Sequence, residues 1–239
     1  MKARIKFRKY GVMMFVGHLD LLRYFQKTMR RAKIPVAYTN GYSPHMILSF
    51  AQPLPVGMTS DGEYLDLELT RGINSKEAVD KMNAILVEGM EVLDLVQIPE
   101  EKKSSGMAIT QAADYRVTLL VSPKSSEETL PIPDSYEKGI TDFLNCPSLM
   151  VEKHTKRSTA EVDIRPLIYA MKITDNSIYM RLACGSKKNL KPELVMETLL
   201  HTMSISSEDV PIHCHRLDLF AEKDGEFIPL IALGNEIKM

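Results

Sequence analysis

The chain has 239 residues, of which 44% are hydrophobic and 26% are charged, and its formal net charge at pH 7 is -1. This length allows one or two domains, and the composition excludes disordered, collagenous and disulfide-stapled chains. No apolar run reaches the ~18 to 20 residues of a membrane span, and no signal-peptide core follows the basic N-terminus. We therefore expect a cytoplasmic protein without a membrane partner.

The near-neutral total conceals two segments of opposite charge. Residues 1–60 contain ten Lys or Arg and a single acid, Asp20, whereas residues 61–101 contain eleven acids and three bases. Such a split is typical of a polyanion-binding face, or of two segments that pair with each other inside one domain.

The first part of the chain has the order strand, helix, strand, strand, helix, strand. Residues 2–8 alternate between apolar and basic side chains, as in a strand with one buried face. Leu19, Phe25 and Met29 recur at helical spacing, which predicts an amphipathic helix over 18–32. The further elements are strands near 36–39, 63–69 and 90–98 and a helix over 75–88.

This order is that of a ferredoxin-like fold, which fits in about 100 residues. The second part repeats the order around an inserted hairpin, whose predicted basic tip includes Lys156 and Arg157. We therefore predict an α+β fold of two tandem ferredoxin-like (βαββαβ) domains, residues 1–100 and 107–239, joined by a polar linker over 99–106. The elements predicted in the second domain are strands at 115–121, 149–153, 170–173, 178–183 and 212–220, and helices at 134–144 and 192–203.

Cysteine usage argues against a metal centre. The three cysteines, Cys146, Cys184 and Cys214, lie far apart and show none of the spacings that bind zinc or an iron–sulfur cluster. We expect no metal and no other cofactor held by this chain alone.

Five motifs resemble a known bacterial family. They are GHLDLLR (17–23), NGYSPH (40–45), SFAQPLPVGMTSDGEYLD (49–66), EVDIRPLI (161–168) and GSKKNLKPELV (185–195). These strings are similar to the radical-SAM-linked protein family, a family of unknown function that is fused to radical S-adenosylmethionine (radical SAM) enzymes or accompanies them. The resemblance implies a separate radical SAM enzyme as partner, because this chain lacks the cysteine triplet that would ligate a cluster.

The first two motifs gather polar side chains near the start of the helix and in the loop after it. The candidate site residues are His18, Arg23, Asn40, Tyr42, Ser43 and His45. His18 lies where free backbone N–H groups and the helix dipole favour an anion or a neutral imidazole. The structural alternative is that His18 caps the helix, Asp20 pairs with Arg23, and residues 40–44 form a hydrogen-bonded turn.

The helix also carries a row of basic residues, which we call the basic stripe: Arg23, Lys27, Arg30 and Arg31. In a ferredoxin-like sheet the first and third strands are neighbours, so Arg4 and Lys6 can pair with Asp66 and Glu68. That pairing would neutralise the strand and leave the basic stripe unbalanced. The stripe is therefore the predicted site for RNA or another polyanion.

Three functions remain open on this reasoning. In the first, the chain is a non-catalytic accessory protein that binds RNA or presents a substrate to a radical SAM enzyme; Tyr42 would stack on a base while Asn40 or His45 reads its edge. In the second, it is an RNA-processing enzyme that uses His18 or His45 as general acid or base on a 2′-OH. In the third, it is a protein–protein interaction module.

Overall fold

The computed structural model describes residues 1–123, 128–154 and 159–238. Its fold is α+β, as predicted. In the described part of the chain, no helix is both long enough and apolar enough to span a bilayer. The predicted basic residues Lys156 and Arg157 lie outside the described residues.

Five α-helices, thirteen strands and five short 3-10 helices make up the regular structure of the described residues. In chain order, the first eight α-helices and strands are β1 (Lys2–Lys9), α1 (His18–Arg31), β2 (Leu48–Phe50), β3 (Thr59–Glu68), α2 (Ser75–Asn83), β4 (Met90–Ile98), α3 (Gly106–Ile109) and β5 (Thr110–Leu120). The next six are β6 (Thr129–Leu130), α4 (Ser135–Asn145), β7 (Met150–His154), β8 (Thr159–Asp163), β9 (Ile168–Thr174) and β10 (Ser177–Ala183). The last four are α5 (Pro192–Thr202), β11 (Ile212–Lys223), β12 (Glu226–Pro229) and β13 (Asn235–Glu236).

The chain divides into two compact units. The terminal unit consists of residues 1–112 together with 216–239, and the central unit of residues 113–215. These boundaries differ from the predicted ones, because the C-terminal segment returns to the N-terminal strands: β11 pairs with β3, and β13 pairs with β4.

The sheet of the terminal unit is centred on β1. This strand pairs in antiparallel fashion with β3 on one side and with β4 on the other, and β2 pairs with β3. The helices α1 and α2 contribute Phe25, Met29 and Met82 to a core that also contains Ile5 and Phe7 of β1. The alternation of β1 and the helical period of α1 thus produce the predicted apolar face.

The opposite face of β1 is also covered, which corrects the prediction of a strand buried on one side only. Arg4 is fully buried. The segment 99–106 is not a free linker, since it contains a 3-10 helix (Lys102–Ser104) and its Ser104 carbonyl accepts a hydrogen bond from Arg4 Nη2 (3.0 Å). The carbonyl of Leu230, in a C-terminal 3-10 helix, accepts one from Arg4 Nη1 (3.1 Å).

The central unit contains α4, α5, β6 to β10, most of β5 and the start of β11. β9 and β10 form an antiparallel pair, β10 lies beside β5, and the predicted inserted hairpin is the separate pair β7 and β8. Arg181 of β10 donates two hydrogen bonds to Asp114 of β5 (2.6 and 2.8 Å). At the end of β5, Leu120 N–H donates to the carbonyl of Pro211, just before β11 (2.8 Å).

Three local predictions need correction. The helix predicted over 75–88 ends at Asn83, because the Asn83 amide exchanges two hydrogen bonds of 2.8 Å with the backbone of Val92 in β4. Leu19 is exposed and does not belong to the buried face of α1. The predicted strand over 36–39 consists of two isolated bridges, at Val36 and Tyr38.

Candidate functional site

Three of the five basic side chains of β1, those of Arg4, Lys6 and Arg8, are neutralised by carboxylates of the terminal unit. Arg4 donates to both oxygens of Asp66 (2.7 and 2.9 Å), which confirms the predicted pair. Lys6 Nζ contacts Asp218 Oδ2 (2.6 Å) and not Glu68 as predicted, because the register sets Lys6 opposite Tyr64. Arg4 and Lys6 therefore offer little positive charge to a ligand.

At the end of β1, Arg8 follows the same rule, whereas Lys9 contacts backbone carbonyls. Arg8 binds Asp61 (2.7 and 3.0 Å) and Glu91 (3.3 Å), and its hydrogen bond to Asp61 raises the pKa of the guanidinium. Lys9 is fully buried and its Nζ donates to the carbonyl of Val16 (2.8 Å). Burial lowers the pKa of Lys9. Its hydrogen bond to Val16 ties the end of β1 to the loop before α1.

The basic stripe of α1 differs from β1 in both exposure and pairing. Arg23, Lys27, Arg30 and Arg31 are all exposed. Arg23 pairs with Asp20 at 3.0 Å, as predicted, and both side chains are about two-thirds exposed, so water weakens this pair. Within the described residues, no carboxylate lies in ion-pair distance of the other three cations. Their charge is available to a polyanion.

The residues of the NGYSPH motif form the tip of a short hairpin. Tyr38 bridges to Met46, and Thr39 N–H donates to the carbonyl of His45 (2.9 Å). Gly41 has φ +117°, a backbone conformation that favours glycine. The predicted residues Asn40, Tyr42, Ser43 and His45 are exposed, and Tyr42 is the most exposed large hydrophobic side chain of the described chain.

The hairpin lies at the same end of the terminal unit as the last turn of α1. The chain leaves α1 and reaches Val36, which bridges to Leu69. Leu69 N–H in turn donates to the carbonyl of Met1 (2.8 Å), at the start of β1. Arg30 and Arg31 therefore share this end with the hairpin, whereas Arg23 lies toward the opposite end of a helix about 21 Å long.

The two candidate histidines are not brought together. His18 is exposed at the start of α1, and its ring contacts the ring of Phe50 edge-on at 5.2 Å between centroids. His45 Nδ1 lies 3.1 Å from Thr39 Oγ1. His45 precedes Phe50 by five residues of extended chain, a span of about 16 Å. This separation places the histidines at different ends of β2, so they do not form one polar pocket.

Helix capping also differs from the structural alternative considered for His18. The N-cap of α1 is Gly17, and no side chain caps this end. His18 is therefore the first helical residue and not the cap. The described residues contain no group of three His, Cys, Asp or Glu side chains placed to hold a metal ion.

The structure contains a pocket of about 480 Å³ beside the hairpin that the sequence did not predict. It is lined by the hairpin, by residues of β1, β2, β3 and β4, and by the segment 102–107, and its charged groups include Lys2, Glu68 and Lys102. The alternation of β1 and β3 indicated that Lys2 and Glu68 share a sheet face. The wall formed by the segment 102–107 could not be predicted in this way, because the polar composition of residues 99–106 predicted a linker.

Comparisons with known proteins identify a family without an assigned activity. A comparison with curated proteins finds no match. The link to radical SAM enzymes therefore stays a prediction from the motif resemblance. A family model described as "Uncharacterized protein conserved in bacteria (DUF2344)" matches residues 2–192, about four-fifths of the chain. The chain thus belongs to the bacterial DUF2344 family.

Proposed function

We propose that this chain is a cytoplasmic, non-catalytic accessory protein that binds single-stranded RNA through the basic stripe and works with a separate radical SAM enzyme. The partner enzyme is inferred from the resemblance of the GHLDLLR and NGYSPH motifs. RNA is inferred from charge and exposure. Phosphates supply the sequence-independent part of such binding, and unpaired bases supply surfaces for stacking.

One observation carries the RNA proposal: Arg4, Lys6 and Arg8 of β1 are neutralised by carboxylates, whereas Lys27, Arg30 and Arg31 have no acidic partner among the described residues. A helix face that only needed solubility would also tolerate acids, yet Asp20 is the sole acid in α1. Tyr42, fully exposed at the adjacent hairpin tip, supplies an aromatic ring for a base.

We further propose that both units are ferredoxin-like. In the terminal unit, the strand order β4, β1, β3, β2 and the antiparallel pairings support this assignment. In the central unit, the order β11, β5, β10, β9 supports it, with β7 and β8 as the inserted hairpin. Each series has the element order βαββαβ.

The test is RNA binding by the full chain as a function of salt. We expect that replacing Arg23, Lys27, Arg30 and Arg31 by Gln weakens binding of a labelled ten-nucleotide RNA, measured by fluorescence anisotropy. The slope of log K against log salt should fall by about 0.7 for each phosphate that the variant no longer neutralises, because fewer counterions are released. Sequence preference should change little, since phosphates carry no sequence information.

A matched pair of double variants controls for net charge. Arg30→Gln/Arg31→Gln removes two charges from the stripe, and Lys76→Gln/Lys81→Gln removes two exposed charges from α2. Only the first should weaken binding and reduce the slope. Equal effects of the two variants, or wild-type affinity at low salt in the fourfold variant, would overturn the proposal and leave the stripe as a protein-docking or solvated surface.

A further inference from the structure

The 480 Å³ pocket lies on the sheet face of the terminal unit that is turned away from α1 and α2. Leu65 and Leu67 of β3 pack into the core with these helices, so the alternating residues Asp66 and Glu68 face the other way. Both of these acids line the pocket. The pocket is thus a part of the second sheet face that the chain leaves open.

The walls and the rim of the pocket differ in character. Met46, Leu48, Ile98 and Met107 give it apolar walls. Its volume falls in the range of about 300 to 1,000 Å³ that is common for small-molecule sites. A planar heteroaromatic ring fits such walls better than a strongly hydrated ligand does.

The charged groups of the pocket have different roles. Asp66 is already occupied, because its oxygens accept from Arg4 and from Gly106 N–H (2.6 Å). Glu68 is half-buried, and no basic group of the described chain lies in ion-pair distance of its carboxylate. Lys102 is exposed at the rim and likewise has no acidic partner among the described residues. Lys2 Nζ donates to the carbonyl of Glu100 (2.7 Å), which leaves two of its protons for another acceptor.

We propose that this pocket binds a nucleobase that carries an exocyclic amino group, with the attached phosphate at Lys2 and Lys102. The proposal rests on the proposed function and names the part of the RNA that is read. A carboxylate accepts a hydrogen bond from the amino group of adenine, cytosine or guanine. Uracil has no amino group, and its N3–H lies between two carbonyl oxygens that would both approach the Glu68 carboxylate, which is unfavourable.

The position of the pocket agrees with the rest of the proposed RNA path. Thr39 and His45 of the hairpin line the pocket. The hairpin lies at the end of the terminal unit where α1 ends, so a single strand that leaves Arg31 can pass Tyr42 and enter the pocket. The stripe then supplies affinity and the pocket supplies base preference.

Methionine methyl NMR of the full chain with nucleoside monophosphates tests the pocket without an RNA polymer. We expect adenosine and cytidine 5′-monophosphate to shift the ε-methyl signals of Met46 and Met107, and uridine 5′-monophosphate to bind at least tenfold more weakly. The signals of Met29 and Met82, which are buried under the helices, serve as internal controls. Pocket shifts no larger than the control shifts, or equal binding of uridine monophosphate, would overturn the proposal.

Two variants connect the shifts with the named groups. Glu68→Gln should lower the affinity for adenosine monophosphate about tenfold, because a charge-assisted hydrogen bond is removed. That affinity should then be close to the affinity for uridine monophosphate. Glu77→Gln, at an exposed acid of α2, is the control and should change nothing. Lys102→Gln should weaken the binding of adenosine monophosphate but not that of adenosine, which has no phosphate. An unchanged affinity in Glu68→Gln would contradict the proposed contact.

The same titration separates this proposal from the proposed function. The fourfold stripe variant should retain the monophosphate shifts, because the stripe lies on the other face of the sheet. If the pocket binds no nucleotide while the RNA polymer still binds through the stripe, only the pocket proposal fails. If the stripe variant binds polymer normally while Met46 and Met107 still shift, only the stripe assignment fails.

Discussion

β1 and α1 lie in the same basic segment of the chain, yet their cations have different surroundings. In β1, Arg4, Lys6 and Arg8 each contact a carboxylate from another strand. In α1, the basic residues point into solvent, and the acid that one of them contacts is equally exposed. The comparison teaches that a count of charges along the sequence does not locate a binding surface. What matters is whether the fold brings acids to those charges.

The largest effect should come from the buried end of β1. Arg4→Met leaves the carboxylate of Asp66 almost completely buried without its cation, and two backbone carbonyls lose their donor. We expect a loss of about 3 to 5 kcal/mol in the free energy of unfolding, measured by urea denaturation and circular dichroism. The double variant Arg4→Met/Asp66→Leu should recover part of the loss, because no charge then stays buried. A loss below about 1 kcal/mol in the single variant would contradict a structural role.

A smaller loss of stability is expected when Lys6 of β1 loses its partner in β11, Asp218. Asp218 accepts hydrogen bonds from Lys6 Nζ (2.6 Å) and from the hydroxyl of Tyr64 (2.5 Å), and it is only 16% exposed. Asp218→Asn keeps an acceptor for Tyr64 but removes the charge that faces Lys6. We expect the free energy of unfolding to fall by about 1.5 to 3 kcal/mol. The control is Glu222→Gln, at an exposed acid of β11, whose free energy of unfolding should stay within about 0.5 kcal/mol of the wild type. An equal loss in both variants would show that Lys6 does not depend on its contact with Asp218.

The sequence was sufficient for elements that depend on near neighbours along the chain. The alternation in β1 and the helical period in α1 require contacts between residues two to four positions apart, and both elements lie where predicted. The Arg4–Asp66 pair was predictable too, because the ferredoxin-like order makes β1 and β3 neighbours.

Contacts between distant segments could not be predicted in this way. Asp218 follows Lys6 by more than two hundred residues, and only the return of β11 to β3 brings the two together. The segment 99–106 looked like a linker because it is polar, yet its backbone satisfies buried groups of the sheet. For the candidate site, exposure of Tyr42 followed from its turn, whereas the lack of acids around Arg30 and Arg31 depends on the whole fold.

The smallest effects on stability are expected at Arg8, at the exposed end of β1, and at Arg31 of the basic stripe. Arg8 is 39% exposed and its partners Asp61 and Glu91 are similarly accessible, so Arg8→Gln should cost about 0.2 to 1 kcal/mol at low salt. Most of that cost should disappear in 1 M NaCl, where the Debye length is about 3 Å. Arg31→Gln should change the free energy of unfolding by less than about 0.5 kcal/mol at either salt concentration, because no acid of the described chain depends on it.

For RNA binding, the same two variants should rank in the opposite order: Arg31→Gln should have the larger effect. Arg31→Gln should reduce the slope of log K against log salt by about 0.7, whereas Arg8→Gln should leave it unchanged because the Arg8 charge is already neutralised. Unfolding and binding measured on one preparation of each variant therefore give a crossed pattern. A parallel pattern, in which the variant that loses more stability also loses more RNA affinity, would mean that β1 and α1 belong to one electrostatic surface.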